Sequence, residues 1–270
     1  MGAAPPSGAF ERNAPYAPTP DNRPAPLDCS PLDLTLESGT QMSFGERAAL
    51  EGILAQLQPR LAVEIGTAAG GSLARIARYS EEVHSIDVSH AELTGSVPEN
   101  VHLHTGPSAR ILPELLAEFT TAERSLDFAL VDGDHSFEGV IGDLRVLLDA
   151  PCTARAVILV HDSMNEEIRA GIEKAGLEDY EKVVYFEPDF VPGYIYRVGA
   201  ARHTVWGGLA LIICESRRSQ AYASSVRQWR YYEPYEAIHR LRAHLREGSR
   251  PAGSLRERVE RRLGLAGRSQ

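Results

Sequence analysis

The chain has 270 residues, of which 43% are hydrophobic and 24% are charged, and its formal net charge at pH 7 is −9. This length allows one full α/β core with flanking extensions, not a second large domain. No apolar run has membrane-spanning length, no basic-then-apolar signal opens the chain, and its three cysteines are far apart. We therefore predict a cytoplasmic protein, and the alanine- and arginine-rich composition indicates a bacterial source.

The chain begins with an Ala/Pro-rich stretch that has few large apolar residues. Residues 1–30 cannot bury enough surface to offset the entropy of ordering, so we predict a disordered extension. The main domain is predicted over residues 31–215. Its first helix begins at the capping box Ser43-x-x-Glu46 and runs to about Leu57.

A glycine-rich turn follows the first predicted strand, which covers Leu61 to Ile65. The turn contains Gly66, Gly70 and Gly71, and a small-residue helix start follows it. Glycine at a strand-to-helix turn lets the backbone approach a ligand closely. The spacing differs from the G-x-G-x-x-G of dinucleotide enzymes, which disfavours a nicotinamide-dependent oxidoreductase. Because Glu64 precedes the turn, the segment suits a ligand with a cationic amino-acid end, such as S-adenosylmethionine (SAM).

A second strand is predicted over Val83 to Val88 and contains Asp87 near its end. An acid about twenty residues beyond a glycine turn is positioned to accept hydrogen bonds from ribose hydroxyls. The two segments together predict a nucleoside pocket.

Three further predicted strands end in polar residues. The third leads into Gly106-Pro107-Ser108, the fourth into the run from Asp132 to Glu138, and the fifth into His161-Asp162-Ser163. Ligands of open α/β sheets bind outside the carboxyl ends of the strands, so these residues are expected to meet in one crevice. The alternation of strands and helices predicts a doubly wound, mostly parallel, seven-stranded Rossmann-like sheet with helices on both faces.

The succession VEIGTAAGGS, SIDVS, GPS, DFALVDGDHSFEG and ILVHDS resembles class I SAM-dependent methyltransferases. It is most similar to the bacterial group that contains macrocin and mycinamicin sugar O-methyltransferases and cephalosporin-cluster methyltransferases. The resemblance covers about residues 44–215. It implies SAM as cofactor and a small hydroxylated acceptor, in particular a glycosyl group of a bacterial natural product or surface saccharide. It also implies a set of cofactor-binding residues: Glu64, Gly66, Thr67, Gly70, Ser72, Asp87 and Ser108.

The same resemblance implies a metal site and a catalytic base. Asp132 matches one metal ligand, but the acidic pair expected after the fifth strand is His161-Asp162. Imidazole suits transition metals better than Mg²⁺, so three alternatives stay open: a site completed by Ser163 or Asn165, an ion other than Mg²⁺, or no metal. His135 matches the general base, although its position also suits a helix cap.

The C-terminal segment 216–270 contains thirteen arginines and five glutamates, and it is predicted to be helical from Glu236 to Arg246 and again from Ser254 to Leu263. An arginine-rich amphipathic segment is expected to dock on its own acidic domain or on a partner copy in a homo-oligomer, with a membrane surface as an alternative and nucleic acid disfavoured. Phe190, Tyr194 and Trp206 are candidates for an acceptor-binding wall or for sheet-edge packing. A metal-independent methyltransferase and a catalytically silent SAM-binding scaffold are the remaining functional alternatives.

Overall fold

A computed structural model describes residues 41–196, 202–216 and 234–248 of the chain. The predicted extension over residues 1–30 and the predicted helix from Ser254 to Leu263 lie outside these residues. In the described part the helices are α1 (Phe44–Leu57), α2 (Gly71–Tyr79), α3 (Ser108–Thr121), α4 (Phe137–Asp149), α5 (Glu166–Lys174) and α6 (Pro234–Gly248), with short 3₁₀ turns at Pro151–Thr153 and Leu177–Asp179.

Nine strands are described: β1 (Leu61–Ile65), β2 (Glu82–Asp87), β3 (Val101–Thr105), β4 (Phe128–Val131), β5 (Ala156–His161), β6 (Val183–Val191), β7 (Tyr194–Ile195), β8 (Val205–Trp206) and β9 (Leu209–Cys214). Seven of them form a sheet in the order β3-β2-β1-β4-β5-β9-β6. β9 runs antiparallel to both of its neighbours, β5 and β6. The four other pairings, from β3 to β5, are parallel. The predicted mostly parallel, seven-stranded α/β fold is confirmed.

The two faces of the sheet carry separate cores, because side chains alternate between faces along each strand. On one face Val63 and Ile65 pack with residues of α3, α4 and α5. On the other face Ala62 packs with residues of α1 and α2. β1 and β4 are buried along their whole length, as expected for central strands covered on both sides.

One short hairpin lies outside the main sheet. It consists of β7 and β8, which pair antiparallel with each other. The sixth and seventh strands of the main sheet are β6 and β9. Helix α1 begins with the predicted capping box, in which Ser43 and Glu46 bond reciprocally. None of the described helices combines the length and apolar character needed to cross a bilayer.

Candidate active site

The glycine turn after β1 passes very close to the end of β4. Gly66 has φ +94°, and a Cβ on it would lie 2.1 Å from the backbone carbonyl oxygen of Asp132. Gly70 has φ +86°, and its Cβ would lie 2.4 Å from Leu93 Cδ1. Both positions therefore demand glycine for backbone reasons. Gly66 therefore lets the turn pack closely against the end of β4, the neighbouring strand in the sheet. This contact is additional to the approach to a ligand that the sequence predicts.

Beneath this turn lies a chain of buried hydrogen bonds centred on Glu64. The hydroxyls of Ser72 and Ser85 each donate to one of its carboxylate oxygens at 2.6 Å. Ser85 Oγ lies 2.6 Å from Thr67 Oγ1. Glu64 is 0% exposed, and burial raises the pKa of this carboxyl to about 7. Its predicted contact with the cofactor stays a prediction, since the carboxylate here supports the turn from below.

Asp87, at the end of β2, organises the upper side of the same turn. One carboxylate oxygen accepts from the backbone N–H of Thr67 at 2.7 Å and of Ala68 at 3.0 Å, and the other accepts from Ser89 N–H at 3.0 Å. Burial tends to raise the pKa of Asp87, but these N–H donors outweigh it and leave the pKa lowered. Asp87 is thus an ionised acceptor fixed at the rim of a cavity.

That cavity has a volume of about 520 Å³ and extends from the glycine turn to the N-terminus of α3. Asp87, Gly106 and Ser108 line it on one side, and Gly139 and Asp143 line it on the other. Its walls come from the carboxyl ends of β1 to β4, as predicted for a nucleoside pocket. A smaller cavity of about 120 Å³ adjoins the turn and includes Ser72, His161 and Asp162.

A cluster of two carboxylates and two imidazoles stands where β4 and β5 end. His161 Nδ1 lies 2.8 Å from Asp132 Oδ1 and 3.7 Å from Asp162 Oδ2. His135 Nε2 lies 3.4 Å from Asp132 Oδ1 and 3.6 Å from Asp162 Oδ2. The structure therefore brings together all four residues that the resemblance places in the metal site and the base.

The electrostatics of the cluster follow from these distances. Burial disfavours the charged form of His161, but Asp132 and its neighbours prevail and raise the pKa of His161 well above its ordinary value. The hydrogen bond to Asp132 raises the pKa of His135 as well. Burial by itself would raise the pKa of Asp132, but the nearby imidazoles of His161 and His135 have the larger effect and leave this pKa lowered. Burial raises the pKa of Asp162, the other carboxyl of the cluster. The site thus places a carboxylate of lowered pKa beside two imidazoles of raised pKa.

The backbone around Asp162 is held in an uncommon conformation. Its φ is 54°, in the left-handed region that non-glycine residues rarely adopt. The backbone N–H of Gly207 donates to Asp162 Oδ1 at 2.5 Å, and Asn165 N–H donates to the carbonyl of Asp162 at 2.8 Å. These bonds stabilise the turn and aim Oδ2 at the two imidazoles.

Glu46 is a site residue that the sequence reasoning assigned only to a helix cap. It is 0% exposed, and its Oε1 accepts from the backbone N–H of Gly208 and lies 3.4 Å from His161 Nε2. Burial pushes its pKa up, but contact with His161 leaves the pKa lowered. The capping box was visible in the sequence; nothing local indicated that its carboxylate reaches the end of β5.

Oxygen and imidazole donors on one side of the cluster fit a divalent cation. Asp132, His161 and Asp162 each offer one ligand atom, and these atoms lie within 4.8 Å of one another. Glu46, on the far nitrogen of His161, is the carboxylate partner that orients metal-binding histidines in many proteins. The side chain of Asn165 instead accepts from Glu167 N–H and caps α5, so the alternative that uses Asn165 has less support.

One aromatic residue of the small hairpin lies beside the carboxylate–imidazole cluster. The ring of Trp206 in β8 meets His135 edge-on at a centroid distance of 5.7 Å. Tyr194 in β7 contacts Tyr196 in the same geometry. Phe190 is partly buried against the α1 side of the core. The hairpin therefore places Trp206 next to the cluster, whereas Phe190, on β6, packs at the edge of the sheet.

Helix α6 docks on the start of α5, behind the cluster. Arg242 pairs with Glu166, and His239 Nε2 lies 2.9 Å from the carbonyl oxygen of Met164. Arg169 stacks on the ring of Tyr235 at 4.5 Å. At least this part of the arginine-rich segment contacts its own domain; assembly with a second copy stays a prediction.

The central part of the chain is similar to known methyltransferases. Residues 63–163 match the family model described as "Methyltransferase domain". A rhamnosyl O-methyltransferase of Mycobacterium leprae (strain TN) is 27% identical over 154 residues, which cover 54% of this chain and 66% of that protein. One from Mycobacterium tuberculosis (strain ATCC 25618 / H37Rv) is 24% identical and covers 53% and 61%. The chain thus spans less than two thirds of the length of these relatives. An O-methyltransferase from Bacillus cereus, solved in complex with SAH, aligns with 70% of this chain and 84% of that one at 17% identity and a TM-score of 0.46.

Proposed function

We propose that this chain, whose residues 63–163 match a methyltransferase domain, is a class I SAM-dependent enzyme that transfers the methyl group of SAM to a hydroxyl of a glycosyl acceptor. One observation carries the proposal. His135 and Asp132 line both the larger cavity, which suits the adenosine half of SAM, and the smaller cavity beside the cluster. The base and its carboxylate partner therefore stand where donor and acceptor would meet.

His135 is the residue proposed to accept the hydroxyl proton. An alcohol becomes a competent nucleophile as its proton leaves, and imidazole is the side chain whose ordinary pKa is nearest neutrality. Asp132 and Asp162 hold Nε2 from two sides and stabilise the imidazolium that forms. Asp132 also fixes the orientation of the ring. Because Nε2 faces the carboxylates, the substrate proton would be taken at the other ring nitrogen, Nδ1.

Asp132, His161 and Asp162 are the residues proposed to hold a divalent cation. When bound, such an ion would lower the pKa of the acceptor hydroxyl and help to orient it. Two carboxylates with one imidazole suit Mn²⁺ or another transition metal at least as well as Mg²⁺. Glu46 Oε1 lies 3.4 Å from the remaining nitrogen of His161, and this negative charge would favour a proton on that nitrogen and leave Nδ1 free to face the ion.

A sugar ring is the proposed acceptor because two independent features favour it. Trp206 presents an aromatic edge beside His135, and aromatic side chains commonly pack against the apolar faces of pyranose rings. The two mycobacterial relatives are named rhamnosyl O-methyltransferases. A cytoplasmic location and a homo-oligomeric state are part of the same proposal, as is a role in bacterial natural-product or surface-saccharide synthesis.

The proposal is tested by incubating the purified full chain with methyl-labelled SAM, Mg²⁺ or Mn²⁺, and a panel of rhamnosyl and other glycosides. We expect label in a hydroxyl-linked methyl group, and a fall of about a hundredfold or more in turnover for His135→Ala, with partial recovery at alkaline pH. His244→Ala, which changes an exposed histidine on α6, is the matched control.

Different outcomes separate the alternatives. Transfer that continues after complete removal of metal would support the metal-independent mechanism. SAM binding without transfer to any member of the panel would count against the enzyme and for a scaffold. Turnover of His135→Ala within about threefold of wild type would assign this histidine to structure and point to His161 as the base.

A further inference from the structure

A second group of imidazoles lies at the other edge of the sheet, away from the proposed catalytic cluster. It consists of His84 on β2 and His102 and His104 on β3, with Glu82 two residues before His84. The strands are parallel, and His84 is directly opposite His102 in the register. Since residues two apart share a face, all four side chains project from the same face of the sheet. None of them is among the residues that line either described cavity.

The ligating atoms of three of these residues are close enough to share one ion. Glu82 Oε1 lies 2.7 Å from His84 Nε2 and 3.8 Å from His102 Nε2. All three residues offer a ligand atom within 4.8 Å of the others. Ligands at about 2.1 Å from a tetrahedral ion stand roughly 3.4 Å apart, which falls inside the observed range.

Two neighbours already orient this group as outer-shell residues do in metal sites. His84 Nδ1 lies 2.9 Å from His104 Nε2, so the nitrogen of His84 that faces away from Glu82 is engaged. Arg124 holds the other oxygen of Glu82 at 2.6 Å and approaches Oε1 less closely, at 3.2 Å. The carboxylate and the buried imidazole are therefore fixed in position before any ion arrives.

We propose that Glu82, His84 and His102 form a binding site for a divalent transition-metal ion of the Zn²⁺ type, with a fourth position open to solvent. Two imidazoles and one carboxylate are a donor set that Zn²⁺ accepts, whereas Mg²⁺ prefers oxygen alone. An ion can reach the site from solvent on the side of His102, because the side chain of His102 is 54% exposed. The site is independent of the proposed methyl transfer and would exist in a catalytically silent protein.

Binding at this site requires a defined rearrangement of protons. His84 Nε2 releases to solvent the proton it shares with Glu82, and the proton between His84 Nδ1 and His104 Nε2 moves onto Nδ1. His104 takes a proton from solvent at its own Nδ1, so that both imidazoles stay neutral. Arg124 stays bonded to Oε2 of Glu82 and loses its longer hydrogen bond to Oε1, which then binds the ion. The positive charge of Arg124 opposes the ion, whereas its bond to Oε2 keeps the carboxylate oriented.

The test is titration of the full-length protein with Zn²⁺ alone, and with Co²⁺ as a spectroscopic probe, in an Asp132→Asn background that disables the other candidate site. We expect one equivalent of ion and the intense visible absorption of tetrahedral Co²⁺. His102→Ala should weaken Zn²⁺ binding about a hundredfold, and His104→Ala about 10- to 100-fold. His244→Ala should leave it unchanged.

Because His102 is exposed, His102→Ala is expected to fold, which circular dichroism would check. Failure of the background protein to bind an equivalent of Zn²⁺ would overturn the proposal. Unchanged affinity in His102→Ala would overturn it equally. Either result would leave the four residues as a hydrogen-bonded network that satisfies the buried His84.

Discussion

Replacing Glu64 by Gln is expected to make the protein more stable at neutral and alkaline pH, although Glu64 lies at the centre of the cofactor-binding turn. The carboxyl is completely buried, and burial raises its pKa from 4.5 to about 7. A folded-state pKa above the unfolded one means that the folded protein holds the proton more tightly. This group therefore weakens the folded state progressively as pH rises from about 4.5 to about 7.

The size of the effect follows from that difference in pKa. Each pKa unit corresponds to about 1.4 kcal/mol, so ionisation of Glu64 costs about 3 kcal/mol of unfolding free energy once the pH exceeds about 7. Gln cannot ionise and escapes this cost. It does need one serine hydroxyl to turn around and accept a bond from its amide, a penalty of roughly 1 kcal/mol that does not vary with pH.

Urea unfolding of both proteins at about pH 5 and about pH 8 isolates the titration, because the constant penalty cancels between the two conditions. We expect the free energy of unfolding of Glu64→Gln, relative to wild type, to rise by about 2 to 3 kcal/mol between these pH values. Glu81→Gln, at an exposed position, serves as the control. Parallel pH dependence of wild type and Glu64→Gln would refute the reasoning.

Four further predictions concern the same site. Asp87→Ala should weaken SAM binding at least about tenfold by calorimetry, since it removes a ribose acceptor and two supports of the turn; equal affinity would place the cofactor elsewhere. Gly66→Ala should lower the free energy of unfolding by at least about 2 kcal/mol in urea, because its Cβ meets a backbone carbonyl at positive φ; an unchanged midpoint would contradict that contact. Asp162→Ala, like chelation, should abolish most methyl transfer while SAM binding persists, and activity that survives both would remove the metal from the mechanism. Glu46→Gln preserves the helix cap but removes a negative charge beside His161, so the imidazole NMR resonances should show a lower pKa for His161; an unmoved titration would mean that the two groups do not interact.

The fold was predictable because its main signals are local. The alternation of apolar runs and helical segments predicts the succession of strands and helices along the chain, and the capping box predicts where α1 begins. Polar residues after consecutive strands predicted where the catalytic cluster would form, since the carboxyl ends of parallel strands meet at one edge. The small hairpin of β7 and β8 was not recognised because two-residue strands carry no periodic pattern.

The remaining features depend on contacts between distant segments. Gly66 is predicted to permit ligand approach, and packing gives it a second close neighbour, the carbonyl of Asp132, which the sequence of a single strand cannot reveal. Glu64 has its oxygens occupied by Ser72 and Ser85, which become neighbours once β1, β2 and α2 pack. Glu46 reaches His161 for the same kind of reason. Sequence spacing identifies residue types suited to a reaction, and tertiary packing decides which atoms they offer.

The bond between Glu46 and Gly208 joins residues 162 positions apart, and this bears on how the protein acquires its site. Contacts of such long range form late, because a large loop must close before they contribute any free energy. A nascent or truncated chain that ends before Gly208 would contain Asp132, His135, His161 and Asp162 but would lack the backbone N–H that bonds Glu46. A chain shorter than 208 residues therefore has the reactive side chains of the site but cannot form the bond that fixes the position of Glu46.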